Sequence, residues 1–130
     1  MRFMILVKSC DAFEAETGPT SDDQELMAEM VRYHEELARA GVLLDGSGLQ
    51  PSRKGWRVHY AADGSKRIVD GPFAEAKEFI SYALYQVRSQ AEAVEWSTRF
   101  MQLHADRWPG WSGQADAVKV MGPEDFGPPA

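Results

Sequence analysis

The stretch Arg2-Phe3-Met4-Ile5-Leu6-Val7-Lys8 decides the architecture. A strand points successive side chains to opposite faces, and this one is apolar at odd and even positions alike, so it predicts a strand covered on both sides. A second run of the same kind, from Phe79 to Val87, carries Phe79, Ala83, Tyr85 and Val87 on one face and Ile80, Tyr82 and Leu84 on the other. Together they predict the centre of one sheet.

Outward from the first run, Thr20-Ser21-Asp22-Asp23-Gln24-Glu25 places hydroxyl and carboxylate caps before an apolar-periodic segment. This predicts a helix that reaches Ala40 and is stopped by Gly41. Leu26, Met27, Met30, Tyr33, His34, Leu37 and Ala38 share one side of it and Glu29, Arg32, Glu35, Glu36 and Arg39 the other, which sets His34 inside the apolar stripe. Val42-Leu43-Leu44 predicts a second strand, ended by Asp45-Gly46-Ser47-Gly48 and Pro51. Trp56 to Tyr60 alternates with period two, and Asp63-Gly64 turns it into Lys66-Arg67-Ile68-Val69. Ser89-Gln90-Ala91-Glu92 is a capping box for a second helix, with Ala93, Val94, Ser97, Phe100, Met101 and His104 on one face and a break at Trp108-Pro109-Gly110-Trp111. Ala117 to Met121 predicts a last short strand.

The order β-α-β-β-(β)-α-β predicts an α+β fold, a ferredoxin-like βαββαβ protomer whose antiparallel sheet carries both helices on one face. It fills one domain, residues 1–122, followed by an irregular tail, 123–130. Two helices cover only one face of such a sheet. The double-sided runs therefore call for a second cover, and a second copy packed sheet to sheet supplies it, as a homodimer in the form of a dimeric α+β barrel.

Composition narrows the partners. Among 130 residues, 20 acidic side chains outnumber 14 basic ones for a net charge of −6, and no basic stripe is present that could neutralise several phosphates, so nucleic acid is not an expected partner. The apolar runs are far too short to cross a membrane and no signal peptide opens the chain, so the expected location is cytoplasmic. The single cysteine, Cys10, excludes an internal disulfide and a CxxC metal motif. The three histidines, His34, His59 and His104, show no metal-ligand spacing, and no GxGxxG, GxxxxGK[ST] or GxSxG is present, so neither a metal nor an organic cofactor is expected.

Asp70-Gly71-Pro72-Phe73-Ala74-Glu75-Ala76-Lys77-Glu78 resembles the signature of the DGPF family, a branch of the YCII-related proteins. A second block, Glu36 to Ser52, is similar to that family's helix-to-strand passage. The resemblance extends from Met1 to about Val120 and implies a dimeric α+β barrel of ferredoxin-like protomers. It implies no settled reaction. Ala76 stands where the family usually has Thr, and Ile80-Ser81 replaces a glycine pair, which narrows the room at that strand. The Arg-Pro that the family tends to show after its last strand is absent from Val118-Lys119-Val120-Met121-Gly122.

Asp70 follows Ile68-Val69 and precedes Gly71-Pro72, a strand end that can hold a carboxylate half-buried and raise its pKa. In shorter relatives a helix histidine and the aspartate of an Asp-Pro-Phe motif are thought to share a proton. Asp70 matches that aspartate, while the histidine's counterpart falls near Met30, so His34, one turn on, is the candidate partner for general acid-base work. The signature makes Glu75, Lys77 and Glu78 candidate ligand contacts, with Lys77 as an anion binder; they could equally be a solvated, mutually paired loop. Tyr82 and Tyr85 are expected to line the pocket. His59 is expected on an exposed strand face, and His104 as a cation at a helix C-terminus or a core-edge residue. The reading is a small cofactor-independent enzyme acting on a cyclic or phenolic metabolite. Its alternative is a non-catalytic small-molecule-binding or regulatory dimer, since DGPF-type proteins are often encoded beside extracytoplasmic-function sigma factors. A purely structural dimer, with Asp70 as a turn cap, is the third.

Overall fold

A computed structural model of the chain describes residues 1–9, 24–50, 52–73, 79–107 and 111–127. Its elements run β1 (Arg2–Ser9), α1 (Gln24–Arg39), β2 (Leu43–Gly48), a 3-10 turn (Ser52–Lys54), β3 (Trp56–Tyr60), β4 (Lys66–Asp70), β5 (Phe79–Gln86), α2 (Gln90–Arg107), β6 (Gly113–Lys119) and a second 3-10 turn (Pro123–Phe126). Four strands form one antiparallel sheet in the order β2-β5-β1-β6, and β3 and β4 form a separate two-stranded sheet. This is the ferredoxin-like arrangement, with a hairpin inserted between its second and third strands.

The two runs that are apolar on both sides lie side by side at the centre, Phe3 opposite Tyr85 and Ile5 opposite Ala83. Phe3, Ile5, Val7, Ala83, Tyr85 and Val87 face the helices and join Tyr33, Leu37, Ala93 and Phe100 in the core. Ile5, Leu26 and Leu37 are fully buried, each stabilising the fold by about 1.5–3 kcal/mol relative to exposure. On the opposite face Met4, Leu6, Tyr82 and Leu84 are only partly buried and Val118 is 61% exposed. Lys8 pairs with Asp116 at 2.9 Å, and the Tyr82 hydroxyl donates to Asp45 at 3.1 Å.

The local signals account for the helix ends. Gly41, at φ +73°, lets the Gly41 and Val42 amides turn back to the Ala38 and Leu37 carbonyls at 3.1 and 3.0 Å. Half of the capping box closes as read, the Glu92 amide donating to Ser89 Oγ at 3.2 Å, while the Glu92 carboxylate accepts from the Arg88 amide, one residue before the cap, at 3.0 Å. The caps expected between Thr20 and Asp23, and Cys10, lie outside the described residues.

Three boundaries differ from the sequence reading. Asp45-Gly46-Ser47-Gly48 does not end the second strand; β2 runs through it, because pairing with Leu84, Ala83, Tyr82 and Ser81 of β5 outweighs the glycines' weak strand preference. The register slips between Leu43 and Asp45, so Leu44 is a bulge residue. β6 begins four residues before Ala117, recruited by β1, and the tail carries a turn at Pro123–Phe126, held where the Gly122 amide donates to Asp125 Oδ2 at 2.7 Å.

The β3–β4 hairpin is exposed along its whole length. Its two ends are tied to each other through the Gly-Pro-Phe of the signature. The Gly71 amide donates to the Gly55 carbonyl at 2.9 Å, the Phe73 amide to Ser52 Oγ at 3.2 Å, and Arg57 lies over the Phe73 ring at 4.4 Å. A Cβ at Gly71 would sit 1.9 Å from the Ser52 carbonyl oxygen, so only glycine fits there.

Candidate functional site

Between α1 and the sheet lies a cavity of about 520 Å³, within the usual size of small-molecule sites. Missing side chains create it. On β2 and β5 the positions that face the helices are Gly46, Gly48, Ser81 and Ala83, paired across the ladder, so the sheet floor has almost no side-chain bulk there. Leu26, Met27, Met30 and His34 of α1 form the roof, and Ile5, Val7, Tyr85, Phe100 and His104 the inner wall. The room that Ile80-Ser81 was expected to take from β5 is restored from β2 by its glycines.

The polar groups of this otherwise apolar space are chiefly two imidazoles. Nδ1 of His34 lies 2.7 Å from the Met30 carbonyl oxygen, and Nδ1 of His104 3.0 Å from that of Phe100, each one helical turn back. A carbonyl only accepts, so Nδ1 carries the proton in both rings and Nε2 of the neutral imidazole is left as an acceptor. Both rings pack against Phe100, with centroids at 5.8 Å for His34 and 4.7 Å for His104. His104 is 2% exposed, and burial holds its pKa below the ordinary histidine range. It is thus a neutral cavity wall: of the two sequence expectations, a helix-end cation or a core-edge residue, the second holds, because its position in the last turn of α2 faces the core, where a charge would be desolvated.

The tyrosines stiffen this wall. The Tyr33 hydroxyl donates to the Trp96 carbonyl, which leaves Tyr85, at 3.1 Å, to donate to the Tyr33 oxygen. Burial raises both phenols above their ordinary pKa, so neither ionises near neutrality. Tyr85 borders the cavity; Tyr82 touches it from its place on β5, while its side chain lies on the opposite face of the sheet and its hydroxyl donates to Asp45.

The structure brings His34 and Tyr85 together and leaves apart Asp70 and the side chain of Tyr82, which lies on the opposite sheet face. Asp70 is exposed at the end of β4, opposite Trp56, and does not line the cavity. Glu75, Lys77 and Glu78 lie outside the described residues. None of the described residues lining the cavity is Asp, Glu, Lys or Arg. His59 is exposed on β3. Sequence reasoning set His104 on the Ala93 to Phe100 face of α2 but gave it no place in the site, and it missed the β2 glycines, whose signal was their alternation at Gly46 and Gly48.

Among the described residues no three His, Cys, Asp or Glu side chains are grouped to hold a metal ion, and no helix is long and apolar enough to cross a membrane.

Residues 1–105 match the YCII-related domain, and the chain belongs to that family. No curated protein matches it.

Proposed function

We propose that the protein, as a member of the DGPF branch of its family, binds a small cyclic or phenolic metabolite in the cavity beneath α1 and exchanges a proton with it through Nε2 of His34. The observation that carries this reading is the Nδ1 contact to Met30, which orients the ring and keeps Nε2 as an acceptor at an apolar wall. An O–H or an acidified C–H is what such a nitrogen receives. Met27, Met30 and Phe100 suit the flat faces of a ring.

The absence of a described carboxylate from the cavity lining favours a second reading, reversible binding without turnover, because among the described residues no anion in that lining backs His34 to stabilise an imidazolium. In both readings the working unit is a homodimer joined through the open sheet face. Met4, Leu6, Leu84 and Val118 supply an apolar centre, and the Lys8–Asp116 and Tyr82–Asp45 pairs border it.

Thermal shift with phenol and 2-cyclohexenone tests the site. Saturation at a hundred times Kd adds about 2.7 kcal/mol, which raises Tm by on the order of 10 °C in a chain of 130 residues. Deuterium uptake from heavy water into bound cyclohexenone, lost in His34→Gln, marks turnover; binding without uptake selects the second reading, and no shift with either compound overturns both. Light scattering is expected to give a dimer mass that Leu6→Asp halves, and a monomeric wild type overturns the dimer.

A further inference from the structure

His104 is buried, and among the described residues its hydrogen bond is the one from Nδ1 to Phe100. Among the described residues no side-chain nitrogen or oxygen is sealed from contact without a partner. Nε2 of His104 has no partner among the described residues, so it is not sealed, and His104 lines the cavity. His34 likewise shows, among the described residues, one hydrogen bond through Nδ1 and lines the same cavity. Both imidazoles therefore border one apolar space, packed against the Phe100 ring, each with an Nε2 that no described group engages. No described lining residue is a cation that could meet an anionic group.

We infer that the cavity selects an uncharged ring compound with two hydrogen-bond donors, one received by Nε2 of His34 and the other by Nε2 of His104, and rejects carboxylates. This rests on the cavity being the ligand site proposed above and names the class of ligand it takes. The chemistry is asymmetric. A hydroxyl that meets a buried acceptor adds a hydrogen bond without leaving a polar group unsatisfied. A carboxylate in the same place meets two lone pairs of like polarity and loses its hydration. His104 here is a binding residue with no proton to move, and Ser81, on the cavity side of β5, adds a hydroxyl beside that of Tyr85, which is bonded to Tyr33.

Isothermal titration of the wild-type protein at pH 7.5 with phenol, the three dihydroxybenzenes and benzoate decides it. At least one dihydroxybenzene is expected to bind about tenfold tighter than phenol, from one added hydrogen bond, and benzoate at least about tenfold weaker than phenol. In H104F the gain from the second hydroxyl disappears, so that no dihydroxybenzene binds more than about twofold tighter than phenol does to the same variant. Imidazole nitrogen-15 NMR of the wild type serves if H104F does not fold: the Nε2 resonances of both His34 and His104 shift on adding the tightest dihydroxybenzene. Phenol binding without a gain from any second hydroxyl, benzoate binding as tight as phenol, or a His104 Nε2 resonance that stays put overturns the inference and leaves the cavity reading standing. No binding by any of the five compounds overturns both.

Discussion

Gly46 and Gly48 point to the same side of the same strand, yet a valine at each is expected to have opposite effects. A Cβ at Gly48 meets only the Ile80 carbonyl oxygen at 3.9 Å, an ordinary contact. At Gly46 it meets the Tyr82 carbonyl oxygen at 3.2 Å, and that carbonyl belongs to the β2–β5 ladder, where it has little freedom to move. Gly48→Val removes the glycine's entropic cost in a strand, about 0.5–1 kcal/mol. Partial burial of its methyls in the cavity contributes about 0.5 kcal/mol more. In a chain of 130 residues the sum raises Tm by roughly 4–6 °C. Gly46→Val crowds the backbone and costs about 1–3 kcal/mol, a fall of roughly 4–11 °C. Differential scanning calorimetry measures both, and phenol titration of Gly48→Val is expected to show affinity reduced by at least about tenfold as the side chain takes the ligand's space. A Gly48→Val protein that melts lower than wild type and binds phenol as well would refute the assignment of this strand face as the cavity floor.

Gly71→Ala forces a Cβ within 1.9 Å of the Ser52 carbonyl; a loss of on the order of 1–3 kcal/mol is expected in urea unfolding, and an unchanged midpoint contradicts the tight seat of the signature. Tyr33→Phe removes the donor to Trp96 and the acceptor for Tyr85 together, at a cost of about 1–3 kcal/mol; a change within error in Tm would show that water replaces both. Because burial lowers the His104 pKa in the folded state, the unfolded chain binds that proton more readily, so the stability His104 contributes is complete above its ordinary pKa of about 6.5 and is lost as pH falls below it. The Tm of wild type is therefore expected to drop between pH 7 and 5 by more than that of H104F. Glu36, held below its ordinary range by Arg99, adds to the trend only at lower pH, and equal slopes for the two proteins would contradict a neutral, buried His104.

The fold was legible because its strongest signals are local and redundant. Residues 3–7 and 79–87 announce a two-sided centre by composition alone, and Gly41, Asp63-Gly64 and the Ser89–Glu92 box act within a few residues of themselves. The site was only half legible. His34 could be placed on the correct helix face, but its separation from Asp70 depends on where a hairpin of exposed residues stands relative to the sheet, and no periodicity encodes that. Asp45-Gly46-Ser47-Gly48 reads as a turn because short-range preference says so; its strand conformation comes from a ladder to residues more than thirty positions away. The floor of the cavity is thus made by the segment that sequence reasoning discards as a connection. His104 was left between a cation and a core-edge residue for the complementary reason, since helix-end statistics treat a last-turn histidine as solvated while its helical face points to the core.

The glycines of β2 have one more effect, on what the molecule avoids. β2 is an edge of the sheet, and an edge strand leaves a row of amides and carbonyls open to any passing extended chain. Asp-Gly-Ser-Gly is a poor template for such growth: it has low strand propensity, no apolar row to zip against, and a carboxylate in the register. At the other edge, β6, Gln114, Asp116 and Lys119 play a similar part. Both margins therefore discourage fibrillar stacking, and in the homodimer proposed above chain-to-chain contact falls on the flat of the sheet, away from either edge.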